Sequence, residues 1–511
     1  MNVNNNTRDG NRGYLSLPGG ENLFPLVISA SLLYCGCLLL IVIRRYEENF
    51  NIHDLFIFES SLWNTLEGRL FFNFYEFGNH LGVHFSPGLF FLVPFYAARQ
   101  SPLTLLFLQS AAIAFAGIPL YALAKVLIKD KWAALFITFA YWCYAPTLGT
   151  AFSGFHEDPF ALPFLFALLW ALEAKRSRLF WIFAAISLLW KETLSFVLFF
   201  LGLSLLFHGE TRRKGLLMCM LSLLWGVWSF GILMPMIRGV SVSPGLIQYR
   251  FPREIGHSFG EIMKNFFKDP VFFFSYSFQI PKLIYLFFLI APLCFLPLFS
   301  PLALLPVMPQ LAQNLLSRHL FGASLLKHYT ALMIPFFFYA LLKTFVRVQA
   351  FLEKKGKLRF LSIRTFSLFL FALCTYLTLH TEVFRQVFCK ERSDSEWEHY
   401  LSPYELQEAR RFGAMIPQDA SLAVSGHLDK YFARRKVIAY ISAGFIRVFP
   451  FDYLLYYSRS PEEDLFRRYP DLEKIRTDQY ELVEKSGRLS LYRRRDVPYS
   501  PEQGKILEGL P

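Results

Sequence analysis

Residues 51–87 read NIHDLFIFESSLWNTLEGRLFFNFYEFGNHLGVHFSP. Asp54, Glu59 and three histidines (His53, His80 and His84) stand there beside long apolar segments. Titratable groups in such company are costly unless they face a polar cavity, a membrane surface or a substrate. The stretch therefore reads as an extracytoplasmic loop that lies on a membrane and carries chemistry. Asp54 opens a run in which Leu55, Phe58, Leu62 and Leu66 share one helical face, with Gly68 as the stop. That is an amphipathic helix suited to the membrane interface. Asp54 can cap this helix and still present a rigidly held carboxylate. Glu59, five residues on, points elsewhere and reads most simply as a solvated face residue. His80 and His84 have the i, i+4 spacing of a shared metal on a helix, but Gly78, Gly82 and Pro87 argue against a regular helix there. Asn79 and Ser86 can act as hydrogen-bonding partners of a sugar or a phosphate.

Outward from this loop, composition sets the class. Of 511 residues, 54% are hydrophobic and 18% aromatic, and the apolar residues fall in blocks of membrane length rather than in stripes. The chain reads as an all-α polytopic membrane bundle of about eleven transmembrane helices, residues 23–382. The segment 1–22 reads as a cytoplasmic N-terminus with no cleavable signal, 44–101 as the first outer loop, and 383–511 as a small extracytoplasmic α/β domain. In that domain Ser395–Met415 has helical spacing, and short apolar runs at Ser421–Val424, Val437–Ile441, Tyr480–Val483 and Leu489–Tyr492 read as strands. Ser241–Pro270 and Leu352–Thr365 read as loops. The net charge of +13 belongs to the membrane half, where cytoplasmic loops gather Lys and Arg, so nucleic-acid binding is a poor reading. Counting Lys and Arg on the connecting segments places the N-terminus inside the cell and the C-terminus outside, although the Arg44-Arg45 pair pulls the other way. Six of the seven cysteines lie in apolar spans, which implies neither disulfides nor a zinc site.

This orientation gathers polar groups from five separate stretches on one membrane face. Asp54, Glu59, His80 and His84 are joined by His156-Glu157-Asp158, Lys191-Glu192 and Lys327-His328-Tyr329. His156, Glu157 and Asp158 precede Pro159, and three titratable groups exceed what one helix cap needs. Lys191 and Glu192 interrupt a long apolar stretch, either as a wet ion pair in a tight hairpin or as a cation aimed at a phosphate. His328 and Tyr329 begin a span, where the simplest role is interface anchoring.

The runs HDLFIFESSLWNTLEGRLF, NHLGVHFSPGLFFLVPFYA, FHEDPFALP, WKETLSF and KHYTALMIPFFF, continuing into PQDASLAVSGHLDKYFARRKVIAY, resemble a family of prokaryotic membrane proteins, domain-of-unknown-function family 2079. That family is grouped with the GT-C membrane glycosyltransferases, which move sugars from polyprenyl-phosphate carriers to acceptors on the outer face. The resemblance implies that Asp54 is a general base or acceptor-orienting group, that Glu157 and Asp158 form a second acidic motif, and that Lys191 contacts the carrier phosphate. Glu59 stands where Asp is common in the family, and Thr193 where an acidic residue is common.

The expected function is transfer of a sugar from a polyprenyl-phosphate donor to a glycan, lipid or protein acceptor of the cell envelope. Asp54, Glu157 and Asp158 are the catalytic candidates. Glu59, Asn79, His80, His84, His156, Lys191, Glu192, His328 and Tyr329 are the substrate-binding candidates. A divalent cation, Mg or Mn, would have Asp54, His156 and Asp158 as candidate ligands. The alternatives are a non-catalytic transporter or lipid-binding protein of the same architecture, and an envelope sensor or assembly factor whose tail recognises a partner.

Overall fold

The computed structural model describes residues 23–47, 53–238, 251–256, 258–318, 322–354, 360–388, 402–425, 428–441, 446, 449–458, 466 and 469–496. The N-terminal segment 1–22 and Cys389 lie outside them. Helix α1, Phe24–Glu47, carries no charge before Arg44 and leaves Leu33 and Leu40 71% and 72% exposed, as a lipid-facing span would. Pro102–Ile128, Gly209–Arg238 and His328–Phe351 are the other helices long and apolar enough to cross a membrane. Pro270–Ser277 and Ile280–Leu293, bent by 66°, would together make a fifth span. The expected count of about eleven is therefore not confirmed. Several apolar blocks form helices of 12 or 13 residues, such as Lys131–Trp142, Ala161–Glu173, Ser177–Leu188 and Leu194–Leu206. A helix rises about 1.5 Å per residue, so each falls well short of a bilayer core of about 30 Å.

The breaks between these helices bring the polar residues together. Ser153 to Glu157 leaves helix, with Gly154 at φ +93°, and Leu189–Thr193 separates two apolar helices. Glycine permits close approach where these turns meet their neighbours. Gly149, in the helix Ala145–Phe152 that leads into the first of them, packs against the Leu325 carbonyl with no room for a Cβ, three residues before His328. Residues 258–270, read as loop, contain a helix, Phe259–Lys268, capped by Ser258. Helices Ile334–Lys354 and Phe360–Leu379 likewise extend into the other expected loop.

Among the described residues the C-terminal part is a five-stranded sheet, ordered Ile438–Tyr440 (β4), Leu422–Val424 (β3), Tyr453–Tyr457 (β5), Leu489–Arg494 (β7) and Tyr480–Ser486 (β6). β3 runs parallel to both β4 and β5, while β7 is antiparallel to β5 and β6. Four of these strands fall at the expected runs; β5 was not anticipated. The helix expected from Ser395 is seen as Pro403–Ala414, opened by a Ser402/Glu405 capping box, and residues 389–401 lie outside the described residues.

This sheet is not separate from the loop around Asp54. That loop contributes helix α2 (His53–Leu66) and a two-stranded ribbon, β1 (Phe72–Asn73) with β2 (Gly78–Asn79). Phe56 and Tyr75 pack with Phe412, Val424 and Leu455 on one side of the sheet. Phe72 and Phe74 pack with Ala439, Phe451 and Leu454 on the other. Tyr75 stacks on Tyr440 at 5.9 Å, and Lys430 Nζ donates to the Glu47 carbonyl at 3.2 Å.

Glu59 sits at this junction and apart from the other polar residues. Tyr96 Oη donates to its Oε1 at 3.3 Å, and Arg434 Nε lies 3.5 Å away. Burial pushes its carboxyl up to about 7, against the pull of Arg434 and Tyr96. The folded protein thus keeps a proton that the unfolded chain releases between about 4.5 and about 7. Stability from this group is full below the lower value and is lost as pH rises through the upper one, a change of about 3 kcal/mol at about 1.4 kcal/mol per pH unit. Melting curves of wild type and Glu59→Gln should converge in acid, with wild type falling below the variant as the medium becomes neutral. A difference that does not change with pH would refute this burial.

Candidate active site

Lys191 is the centre of the polar cluster. It follows Trp190, whose ring stacks on Phe160 at 4.7 Å and so pins the turn. Lys191 Nζ donates to Asp158 Oδ2 at 2.7 Å and lies 2.9 Å from Glu157 Oε1, an ion pair without hydrogen-bond alignment. All three side chains are buried. Burial works against the Lys191 charge, but Asp158 and Glu157 outweigh it and hold the ammonium above its usual range. Burial likewise opposes the Glu157 charge, and Lys191, then His84 and His80, pull the carboxyl well below its usual range.

Two histidine–carboxylate pairs flank this centre. His84 Nδ1 lies 3.1 Å from Glu192 Oε1, and His80 Nδ1 lies 2.8 Å from Glu76 Oε2. Burial tends to discharge His84, but Glu192 outweighs it and raises the imidazole. As expected from the glycines, His80–Gly82 is a single 3-10 turn rather than a regular helix. On the other flank, His156 and His328 stack with ring centroids 3.4 Å apart. His156 Nε2 is 3.6 Å from Asp54 Oδ2, and His328 Nε2 is 3.7 Å from Asp158 Oδ2. Burial lowers the His156 imidazole despite Asp54, Glu157 and Asp158 nearby, so its neutral form is favoured. Asp54 lies in the first turn of α2 with its side chain 55% exposed. It is the reachable carboxylate at the rim of a buried charged cluster.

Family comparison agrees with the motifs. The model of a family described as predicted membrane protein, DUF2079, matches residues 47–496. The chain belongs to the DUF2079 family. No curated protein sequence matches it. Membership of DUF2079 and the apolar helices make it a multi-pass membrane protein.

Of the candidates in this DUF2079 chain, Asp54, His80, His84, His156, Glu157, Asp158, Lys191, Glu192 and His328 form one connected set. Tyr329 borders it, 4.2 Å from the His328 ring. Glu59 faces the C-terminal sheet instead. Asn79 accepts from the Leu81 amide at 2.9 Å and donates to the Leu70 carbonyl at 2.8 Å, so it shapes the ribbon. Among the described residues no three His, Cys, Asp or Glu side chains converge as a metal-ligand set. Asp54 with His156, and Asp158 with Lys191, are instead divided between two pairs.

Gln109 and Glu76, which carry no expectation in the sequence, support the site, as does Phe58, which in the sequence reads only as part of an apolar helix face. Gln109 donates to the Gly154 carbonyl at 2.7 Å and accepts from the His156 amide at 2.8 Å, which fixes the turn that aims His156 and Glu157. A lone amide in the apolar run from Pro102 to Ile128 was the available signal. Glu76 orients His80, and Phe58 stands edge-on to His80 at 4.8 Å and to His156 at 6.4 Å.

Proposed function

We propose that this DUF2079 protein is a membrane glycosyltransferase that moves a sugar from a polyprenyl-phosphate carrier to a cell-envelope acceptor at the outer face of the membrane. The observation that carries this reading is the placement of Asp54, exposed at the rim and 3.6 Å from His156, directly beside the buried Glu157–Lys191–Asp158 cluster. An acceptor hydroxyl must lose its proton as its oxygen attacks the anomeric carbon, and a reachable carboxylate supplies the base. The new C–O bond forms as the bond from the sugar to the carrier phosphate breaks, and its electron pair leaves on the phosphate. Lys191 is held by two carboxylates, so a phosphate reaches it only where one of them gives way. In this reading the N-terminus is cytoplasmic and the C-terminal sheet lies outside the inner membrane.

The test is transfer by the purified protein in lipid, with a panel of radiolabelled polyprenyl-phosphate sugars and envelope extracts. Asp54→Asn should keep the fold, since its side chain is largely exposed, and should lose about a hundredfold in rate, the scale of one general base. Equal transfer by both proteins would remove Asp54 from the chemistry. Carrier binding without transfer, equal in both, would favour the transporter or lipid-binding alternative.

A further inference from the structure

Beside the cluster, the turn His80–Gly88 lies against the turn Leu189–Thr193. The Gly88 amide donates to the Leu189 carbonyl at 2.7 Å, and a Cβ on Gly88 would sit 2.7 Å from the Trp190 ring. His84 meets Glu192 across the same contact. Along this seam five buried polar atoms have no hydrogen-bond partner among the described residues: His80 Nε2, Ser86 Oγ, Trp190 Nε1, Glu192 Oε2 and Thr193 Oγ1. The residues are closed off as well, with His80 1%, Ser86 0%, Trp190 4% and Glu192 3% exposed. Folded proteins leave few such atoms, and each costs about 1–3 kcal/mol. Five along one contact point to partners supplied from outside the chain.

The types of these atoms restrict what those partners are. Glu192 Oε2 only accepts. His80 Nε2 takes either role, according to which ring nitrogen carries the proton. Trp190 Nε1 only donates, and the hydroxyls of Ser86 and Thr193 do either. A phosphate offers acceptors alone and would meet the Glu192 carboxylate. An ammonium offers donors alone and would leave Trp190 unmatched. Hydroxyl groups on adjacent carbons offer both. We infer that the seam between His80–Gly88 and Leu189–Thr193 binds a neutral polyhydroxyl group, such as a sugar ring, and excludes phosphate. This deepens the transferase reading by seating the sugar ring here, with the carrier phosphate elsewhere; it rests on that reading only for which molecule carries the ring.

The experiment uses the full chain in lipid nanodiscs free of sugar detergents. Three probes share one tail: n-octyl β-D-glucopyranoside below its micelle concentration, n-octyl phosphate and n-octylamine. Saturable glucoside binding is expected on wild type, and any n-octyl phosphate held at Lys191 should be untouched by changes in the seam. Trp190→Phe keeps a ring but loses the N–H, and Ser86→Ala with Thr193→Val loses both hydroxyls. Each should weaken glucoside binding about five- to tenfold, the scale of one or two hydrogen bonds, with melting of the ligand-free protein no lower than wild type. Phosphate or amine binding that falls in the seam variants, no saturable glucoside binding, or unaltered glucoside binding in well-folded variants would overturn the inference. Glucoside binding with no transfer from any donor would sink the transferase reading alone. Transfer that ignores the seam variants would sink the seam alone.

Discussion

Lys191→Met is expected to unfold the polar cluster and to abolish whatever chemistry it supports. The substitution keeps most of the side-chain volume and removes one charge, leaving Glu157 and Asp158 buried side by side with their shared cation gone. Breaking a buried pair from one side costs about 3–5 kcal/mol, because the remaining charge stays desolvated. The cost falls on the side of two carboxylates here, so a loss at the upper end of that range is expected. Thermal unfolding in lipid would register it as a fall in melting temperature and in recovered protein. Adding Glu157→Gln and Asp158→Asn to Lys191→Met should restore much of the stability and none of the activity. A Lys191→Met protein as stable as wild type would mean that the carboxylates are not held as charges around Lys191.

Phe74→Ala should release the C-terminal sheet from the loop that carries Asp54. Phe74 is fully buried, with its ring 4.5 Å from Phe449 and 5.6 Å from Phe451. Truncating a buried phenylalanine costs about 3–5 kcal/mol, through lost transfer energy and the cavity left behind. The aromatic contacts to both partners disappear with it. Limited proteolysis of 402–496 and hydrogen exchange in β3 and β5 would read the change, with the spans unaffected. Phe77→Ala, at a half-buried neighbour 4.8 Å away, should cost less. Equal protease resistance of Phe74→Ala and wild type would show that the sheet stands without the loop.

These two expectations also mark where the sequence stops being informative. The apolar blocks identify a membrane protein, and the ordered motifs from HDLF to KHYT identify the family. The polar stretches were legible as candidates because each interrupts an apolar block, where charge needs a reason. Their pairing was not legible. Nothing local says that Lys191 faces Glu157 and Asp158 rather than its neighbour Glu192, or that His84 takes Glu192 instead. Nothing in the sequence ties the aromatic residues from Phe71 to Tyr75 to the tail, yet three of them complete the cores of a sheet assembled more than three hundred residues later. β5, with its run YLLYY, was missed because a strand buried on both faces shows no alternation. A hydropathy block records neither a break at Tyr144 nor a bend of 66°, so it does not by itself give the number of spans.

By itself, then, the sequence determined the solvent of this protein, the family it belongs to, the places where charge must be explained and most strands of its sheet. These follow from composition and short-range pattern. The tertiary structure alone decided which carboxylates share Lys191, that Asp54 is the reachable one, that Glu59 belongs to the junction with the sheet, and that the loop and the sheet share their cores. The physical reason is one and the same: burial and charge pairing are set by groups distant in the chain, and a residue's type states what it needs without stating which neighbour will supply it.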